Sequence, residues 1–505
     1  GSVLFSINES PLEEGVIWVG TNDGQVQITR DGGTTWTNVT ENIRDLPAWG
    51  TIANIEASRY EAGTAYISVD LHQMGDFDPY VYKATEYGRR FEKISDGIPQ
   101  SILSFVHVVR EDPERMGMLY VGTDNAVYVS LDDGDNWSQL QSGMPSAPVY
   151  WLTVQEGFGD LVVATYGRGF YILDDISPLR NTTAETLRSS EPVLFEPRAA
   201  YRFIQTQGTR SEPNGLSTGR NPPYGASIHF VAGQAQGSAT VEIVDDGGET
   251  IRTLSHTIRP GINRIWWNLR HEDPRTARLR VAPPGKPFVE FNDEGWREVR
   301  TWDLDLVGGQ RGPLAKPGQY TVRLTIADET LEQRLTVLKD PHSSGTLADI
   351  DAQLDRALQI RDEINEIVDM IDELEWVRSQ LEGLETRYGA DSALGDLMTA
   401  TDSLEQAAMA VEGRLYDIHL TGAREDAFRS PMKLYGRLSA LASDLSANGA
   451  DFSPTSQQVE VHQILQERLE EARRLFELLM SHDVPQFQRL IRELNLPDII
   501  SYNFR

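Results

Sequence analysis

The stretch Thr29-Arg-Asp-Gly-Gly-Thr-Thr-Trp36 places an acid, a glycine and an aromatic residue close together, and related stretches follow twice. The other copies are Ala84-Thr-Glu-Tyr-Gly-Arg-Arg-Phe91 and Ser130-Leu-Asp-Asp-Gly-Asp-Asn-Trp137. Aligned on the acid, successive copies are 55 and 46 residues apart. Repetition at such a period indicates one supersecondary unit that is used several times. We call the three copies boxes.

Each box is expected to close a hairpin. Its acid can accept hydrogen bonds from the backbone N–H groups that follow, and its glycine tolerates a positive φ. Its aromatic residue is expected to fold back and fill the gap between neighbouring sheets. The residues concerned are the acids Asp31, Glu86 and Asp132, the glycines Gly33, Gly88 and Gly134, and the aromatics Trp36, Phe91 and Trp137. We therefore predict that these acids are structural and not catalytic.

Two short apolar runs precede each box, as in Val16–Gly20 and Gln25–Ile28. Short β-rich runs separated by turn residues are typical of antiparallel meanders. A fourth unit, Asp160–Asp174, has the paired strands but no box. Repeated four-stranded units are the blades of β-propellers, which close with roughly 4–8 copies. The sequence therefore predicts a partial propeller, with the remaining blades supplied by a second chain or a further segment.

The boxes resemble the Asp-box, or bacterial neuraminidase (BNR), repeat. The stretch from Val16 through Asp175 resembles large bacterial proteins described as BNR-repeat or sortilin-like glycosyl hydrolases. The resemblance implies a secreted, periplasmic or cell-surface protein of a bacterium, with a sandwich and a helical tail after the propeller. The enzymatic label of that family comes mostly from the repeat, and the repeat is structural.

Composition excludes several classes of protein. The length of 505 residues allows about three domains. The formal net charge of −30 argues against nucleic-acid binding, because that function needs a basic face. Cysteine is absent, which excludes disulfides, thiol nucleophiles and thiolate metal sites. No apolar stretch approaches the ~18 residues of a membrane span.

The predicted fold class is multidomain β plus α. Residues 1–178 are the partial propeller, and 179–223 are a linker with a leading strand. Alternating apolar runs over 224–340 predict an immunoglobulin-like β-sandwich, which a Pro- and Gly-rich excursion at 271–316 interrupts. In 341–505, apolar residues recur at three- and four-residue steps, which predicts an acidic helical bundle. After a first helix, the later helices are predicted at about 392–418, 431–447 and 455–482.

The loop between the second and third strands of the second blade concentrates polar residues. It contains Asp70, His72, Asp76 and Asp78. Paired carboxylates at a propeller mouth can cleave glycosides by acid–base catalysis, or bind a hard cation such as Ca²⁺ through oxygen ligands. Aspartates of such loops also cap turns, and we favour this structural interpretation.

Arg168 lies between two glycines and is a candidate to clamp a carboxylate in the central channel. Pairing with Asp174 or Asp175 is the structural alternative. Aromatic residues near the predicted inner strands are candidates to stack on sugars, with packing between blades as their alternative. These aromatic candidates are Trp49, Tyr150 and Trp151.

We therefore expect a non-catalytic binding or scaffold protein that recognises a protein or a polysaccharide through the propeller face. The alternative is a glycoside hydrolase of the sialidase or xyloglucanase type, with part of its active site in blades outside this chain. A groove that holds two carboxyl groups about 5–10 Å apart would favour the enzyme. The sequence suggests no cofactor except a weakly indicated Ca²⁺.

Overall fold

The computed structural model describes residues 2–140, 143–183, 185–186, 189–203, 219, 221–299, 310–423, 425–426, 431–446 and 450–496. Antiparallel sheets occupy the first two thirds of the chain, and helices follow. The prediction of a mixed β and α protein is confirmed.

The first four sheets are antiparallel meanders, each with its strands in chain order, and we call them blades. The strands of the first blade are Leu4–Glu9, Ile17–Thr21, Val26–Thr29 and Thr37–Asn38. Those of the second are Thr51–Ala57, Ala65–Asp70, Tyr80–Thr85 and Arg90–Lys93. Those of the third are Val106–Glu111, Leu119–Thr123, Val127–Ser130 and Ser138–Gln139. The fourth blade has Val149–Gln155, Asp160–Thr165 and Phe170–Leu173.

Apolar faces hold successive blades together. Alternate residues of each strand point to opposite faces of a sheet, so each blade can present an apolar face to each neighbour. Buried clusters fill the gaps between blades, with Ile55 in the first gap, Leu119 in the second and Leu161 in the third. Hydrogen bonds also link the first strands of neighbouring blades. Val109 N, for example, donates to Asn54 Oδ1 at 3.1 Å.

The next two sheets pack around one shared core. The three-stranded sheet has the order Val193–Leu194, Ala226–Val231, Ile262–Trp267. The five-stranded sheet has the order Ala200–Arg202, Glu329–Lys339, Gly318–Ile326, Ser238–Val244, Thr250–Thr257. Phe230 and Trp267 from the first sheet and Val241 and Leu324 from the second belong to the same buried cluster. The segment 179–223, predicted as a linker with a leading strand, supplies one strand to each sheet: Val193–Leu194 to the first and Ala200–Arg202 to the second.

The excursion predicted at 271–316 packs on the helical bundle in its described part. A two-stranded ladder joins Arg278–Leu279 to Arg297–Glu298. Leu279 and Val299 are buried in the core of the helices. Glu375 fixes the segment, because its carboxylate accepts hydrogen bonds from the backbone N–H groups of Arg280 and Val281. Trp302 of the same excursion lies outside the described residues.

The helices follow the predicted apolar periodicity closely. They are Leu347–Tyr388, Gly395–Leu415, Leu434–Ser446, Ser456–Leu478 and Val484–Glu493. Shorter helical segments are Thr40–Asn42, His72–Met74, Ser177–Arg180, Ser392–Leu394 and Leu479–Asp483. Capping boxes start two of the long helices, with Thr346 paired to Asp349 and Thr455 paired to Gln458. No helix of the described part of the chain is long and apolar enough to cross a membrane.

Candidate functional site

Chain direction brings the candidate residues to one end of the propeller. Successive strands of a meander run in opposite directions. The turns between second and third strands therefore lie at the same end as the connections that enter each first strand. We call this the upper end. The loop from Asp70 to Tyr80 lies there, as do Asp124, Tyr150 and Tyr166.

The upper loop of the second blade is held by its own aspartates. Asp70 accepts hydrogen bonds from the backbone N of His72, at 2.9 Å, and from its Nδ1, at 2.7 Å. Asp76 accepts hydrogen bonds from the Tyr80 hydroxyl at 2.8 Å and from the backbone N of Asp78 at 3.0 Å. Burial and the bond to Asp76 raise the pKa of Tyr80. The loop aspartates thus cap turns and orient neighbouring side chains.

A row of aromatic rings runs across the upper end of the second, third and fourth blades. The ring of His72 stacks on Phe105 at 4.8 Å, and Phe105 meets His107 edge-on at 5.1 Å. His107 stacks on Tyr150 at 4.1 Å, and Tyr150 contacts Tyr166 at 5.6 Å. Phe77 joins the row against Phe105. We call these six residues the aromatic ledge: His72, Phe77, Phe105, His107, Tyr150 and Tyr166.

The ledge has a fixed base and an exposed top. Phe105 and His107 are buried, and His107 Nε2 lies 3.1 Å from Asp124 Oδ1. Tyr150 and Tyr166 are 49% and 73% exposed. Burial, followed by the charges of Asp124 and Asp70, raises the pKa of Tyr150, so its hydroxyl remains a hydrogen-bond donor at neutral pH. The arrangement can hold a ligand against aromatic faces, with hydroxyl groups at its edge.

Trp151 lies beside the ledge, over a half-buried ion pair. The Arg110 guanidinium is 4.1 Å from the Trp151 ring centroid, and Arg110 Nη1 lies 3.0 Å from Glu56 Oε2. Arg110 Nε also donates to the backbone O of Leu152. Burial raises the pKa of Glu56, although the positive charge of Arg110 acts in the opposite direction. These contacts join the first strands of the second, third and fourth blades and give Trp151 a packing role in addition to its exposed surface.

Two other candidates stand apart from the ledge. Trp49 is exposed at the upper end near the first and second blades, at a φ of 69°, and makes no ring contact within the described residues. Arg168 is exposed in an upper turn of the fourth blade, at the end opposite to Asp174 and Asp175. The predicted pairing of Arg168 with these acids is therefore wrong. Asp175 is instead hydrogen-bonded by Ser177 and Ser227.

Two of the three box acids cap turns on the outer part of the blades. Asp31 accepts hydrogen bonds from the hydroxyl and N–H of Thr35 and from the Thr29 hydroxyl, which lower its pKa to about 2. Asp132 accepts the equivalent bonds from Asn136 and Ser130, and these lower its pKa although partial burial acts in the opposite direction. Gly33 and Gly134 both have a positive φ, at 95° and 94°.

The second box departs from this geometry. Glu86 does not cap the turn: it has a φ of 52°, and its carboxylate lies 3.3 Å from Arg90 Nε. Glu86 and Tyr87 are the two central residues of a tight turn, closed by the bond from Gly88 N to Thr85 O. The side chain of Glu86 is longer than that of an aspartate, and its turn is shorter than those of the other two boxes. No run of backbone N–H groups is therefore placed to donate to its carboxylate. The cap predicted for Glu86 is therefore wrong.

The aromatic residues of the boxes differ in burial. Trp137 is 6% exposed and donates from Nε1 to the backbone O of Ile94 in the preceding blade. Phe91 is half-buried and packs on the cluster that contains Val39. Trp36 is 43% exposed and fills no gap between the described sheets, so its role as a filler between blades stays a prediction. Trp36 belongs to the first blade, and the described chain places no blade before it.

Sequence reasoning missed five residues of the site. Phe105, His107, Tyr166 and Phe77 form the ledge together with the predicted His72 and Tyr150, and Asp124 orients His107. The first two lie in or beside a strand whose apolar pattern indicates only core. Spacing between blades would have found them, because each stands at the start of a first strand or in an upper turn. Within the described residues, no group of three or more His, Asp or Glu side chains could hold a metal ion.

Comparison with known proteins gives no family assignment. No protein-family model matches the chain, and no curated protein sequence matches it. Solved structures similar to the chain include "YCF48 bound to D1 peptide", at 16% identity and a TM-score of 0.26, over 35% of this chain and 55% of that one. A GH74 xyloglucanase from Xanthomonas campestris is 18% identical, with a TM-score of 0.29, over 39% and 32%. YCF48 from Cyanidioschyzon merolae is 17% identical, with a TM-score of 0.28, over 66% and 95%.

These neighbours are β-propeller proteins, as the four meanders of this chain would suggest. The chain spans about half the length of the first of them and about a third of the second. Because the TM-scores are low, the propeller assignment rests on the blades themselves and on the interfaces between them. The site must likewise be interpreted from its own geometry.

Proposed function

We propose that this protein is a non-catalytic binding protein of the cell envelope or exterior, and that it holds a neutral polysaccharide on the aromatic ledge. The observation that carries the proposal is the unbroken row of rings from His72 to Tyr166. Sugar rings have apolar C–H faces, and aromatic rings offer apolar faces of similar size. A row that crosses three blades suits an extended chain better than a single sugar.

Charge narrows the class of ligand. The formal net charge is −30, and Asp70, Asp76, Asp78 and Asp124 all lie near the ledge. A polyanionic glycan would be repelled by this surface. A neutral polysaccharide would meet aromatic faces, tyrosine hydroxyl groups and carboxylate acceptors for its own hydroxyl groups. An uncharged polypeptide segment is the second class of ligand that fits this surface.

The carboxylates of the loop support binding more than catalysis. A glycosidase needs one carboxyl group that can give a proton to the leaving oxygen and a second that acts as base or nucleophile. Both oxygens of Asp70 lie within 2.8 Å of His72 Nδ1, and Asp76 is engaged by Tyr80 and by Asp78 N. These carboxylates already orient the loop. Glycoside hydrolysis is therefore the second candidate, favoured only by the presence of several acids beside the ledge.

Affinity electrophoresis tests the proposal, with xyloglucan, mixed-linkage β-glucan or galactomannan in the gel and release of reducing sugar measured in parallel. We expect at least one polysaccharide to retard the protein without hydrolysis. The double variant Tyr150→Ala, Tyr166→Ala should weaken this binding at least tenfold, because it removes the exposed rings. The matched control is Asp76→Asn, Asp78→Asn, which keeps an acceptor oxygen at each position and should therefore bind like the parent. Hydrolysis that disappears in the Asn variant would overturn the proposal in favour of the enzyme.

We also propose that the chain belongs to the Asp-box proteins. Asp31 and Asp132 make the same set of hydrogen bonds, each to the residue two positions before and the residue four positions after. This shared geometry supports one ancestral repeat. A profile built from blades of solved Asp-box propellers should detect the first and third boxes of this chain, and detection of neither would contradict the assignment.

A further inference from the structure

Each interface between complete blades is closed by a box residue from the later blade. A residue that follows the fourth strand of the earlier blade forms the floor: Val39 N bonds to Val26 O, and Ile94 N bonds to Val81 O. The box glycine of the next blade approaches this floor closely. A Cβ on Gly88 would lie 3.0 Å from Val39 Cγ1, and one on Gly134 would lie 2.7 Å from Ile94 Cδ1.

The box aromatic then covers the floor. Trp137 packs in one buried cluster with Ile94, Leu119, Val121 and Tyr128. Its Nε1 donates to the backbone O of Ile94 at 2.6 Å. The interface between the second and third blades is thus a socket of apolar residues filled by one indole ring.

The interface between the third and fourth blades has the equivalent apolar pocket, but no indole ring of the described residues fills it. Leu140 stands where Val39 and Ile94 stand, because its N bonds to Val127 O. The fourth blade has no box, and a cavity of about 150 Å³ lies beside Leu140. Most of its lining is apolar, with Asp174 and Arg264 at its rim, and the side chains that form the apolar part include Val127, Leu140, Met144, Leu161, Val163, Tyr171 and Leu173.

The residues that line this cavity occupy the same positions of the repeat as the residues that surround Trp137. Strand pairing places Leu161 and Val163 where Leu119 and Val121 stand in the third blade. Tyr171 pairs with Val163 as Tyr128 pairs with Val121. An engineered apolar cavity of about 150 Å³ accepts benzene, so a volume of this size suits an aromatic ring.

The adjoining strand is an open sheet edge. Phe170–Leu173 is the last strand of its sheet within the described residues. Thr165 N bonds to Gly169 O, and alternation of the antiparallel ladder then directs the N–H and C=O groups of Phe170 and Ile172 away from the blade. Phe170 is 79% exposed, whereas the third strand of the preceding blade is buried throughout. An edge of this kind can accept one more strand.

We propose that the fourth blade binds an extended segment of another polypeptide, which pairs with Phe170–Leu173 as a fourth strand and places a tryptophan in the cavity beside Leu140. The segment carries the same acid–glycine–aromatic box as the blades of this chain. The interfaces between the first and second blades and between the second and third blades indicate what the occupant is. The interface between the third and fourth blades has equivalent residues in the same register and differs only in lacking the box. Arg264 and Asp174 lie together at the rim of the cavity, where Arg264 Nη1 donates to the backbone O of Asp174.

A labelled peptide with the sequence of Ser130–Leu140 is the probe, because it contains a box, a tryptophan and a short fourth strand. We expect saturable binding to the full chain in fluorescence anisotropy at near-physiological salt. The same peptide with its tryptophan replaced by alanine should bind at least tenfold more weakly.

Two variants of the protein test whether the peptide binds at the cavity beside Leu140. Leu140→Phe fills the cavity and should weaken binding of the parent peptide at least tenfold while the chain remains folded by circular dichroism. Ile102→Phe adds a ring at an exposed site of the upper end and should leave binding unchanged. Absence of saturable binding, or equal binding by the alanine peptide, would overturn the proposal. Equal binding by the Leu140→Phe protein would also overturn it.

Discussion

At the scale of single residues, the boxes show how one short pattern has different energetic consequences. Trp137 and Trp36 occupy the same position of the repeat, yet only Trp137 is buried, because it has a preceding blade to contact. The sequence predicts the turn and its cap from local chemistry. It does not predict burial of the aromatic, since burial depends on a partner blade.

The first prediction compares these two tryptophans. Trp137→Ala should lower the stability of the propeller by about 3–5 kcal/mol, the usual cost of removing a buried aromatic side chain. Trp36→Ala should cost less than about 1 kcal/mol, because much of its ring is in solvent. Chemical denaturation followed by the remaining tryptophan fluorescence measures both. Equal losses would show that Trp36 is packed in solution and would contradict its assignment as a largely exposed residue.

The second prediction concerns the acid dependence of the first box. Hydrogen bonds from Thr35 and Thr29 hold the pKa of Asp31 at about 2 in the folded protein, below its ordinary value near 3.8. The contribution of Asp31 to stability is therefore present above pH 4 and is lost as the pH falls toward 2. Asp31→Asn should be less stable than the parent at pH 6, and the difference should disappear near pH 2. A difference independent of pH would contradict this assignment.

At the scale of secondary-structure elements, prediction succeeds where the apolar period is long. The helices Gly395–Leu415 and Ser456–Leu478 lie close to their predicted positions because one face of each is consistently apolar. The packing of the excursion on the helices was not predictable. It depends on Glu375, an acid that looks like solvated surface in the sequence but whose carboxylate accepts two backbone N–H groups.

The strand order around the shared core bears on the predicted immunoglobulin-like sandwich. Its leading segment divides between the two sheets, with Val193–Leu194 in one and Ala200–Arg202, parallel to its neighbour, in the other. The remaining strands are distributed between the two sheets much as in immunoglobulin-like domains. We therefore retain that fold as a proposal for this part of the chain.

The third prediction concerns two buried acids of the helical bundle. Burial, and then the neighbouring Glu375, raise the pKa of Glu412 well above its ordinary value, although Arg378, whose Nη1 lies 2.6 Å from Glu412 Oε2, acts in the opposite direction. Above about pH 4.3, an unfolded chain ionises this carboxyl group, whereas the raised pKa keeps it protonated in the folded protein. The contribution of Glu412 to the free energy of unfolding therefore becomes less favourable as the pH rises above about 4.3. Glu412→Gln removes this pH-dependent cost, so its melting temperature relative to that of the parent should be higher at pH 8 than at pH 4.

Glu375→Met is the matched comparison within the same cluster. It leaves the N–H groups of Arg280 and Val281 and the hydroxyl of Tyr416 without their acceptor. Each unsatisfied buried donor costs about 1–3 kcal/mol, so this variant should be destabilised at every pH. Thermal melts of both variants between pH 4 and pH 8 provide the measurement. A gain in stability for Glu375→Met would contradict the assigned roles.

At the scale of the whole molecule, the blades bring together residues that are far apart in the sequence. The ledge combines His72, Phe105 and Tyr150, which come from three blades. The sequence indicates the polar loop and Tyr150, because both lie at the predicted propeller mouth. It does not indicate the contact of His107 with Tyr150, since that contact depends on the angle between two sheets. The propeller could be predicted from repetition, whereas the continuous ledge required the structure.

Hydroxyl-radical footprinting with a retained polysaccharide tests the central claim most directly. The chain contains its own control, because Tyr166 of the ledge and Phe170 on the same blade are both mostly exposed, at 73% and 79%. If the polysaccharide binds on the ledge, we expect it to protect Tyr150 and Tyr166 from oxidation and to leave the oxidation of Phe170 unchanged. Protection of Phe170 with no change at Tyr150 and Tyr166 would contradict it.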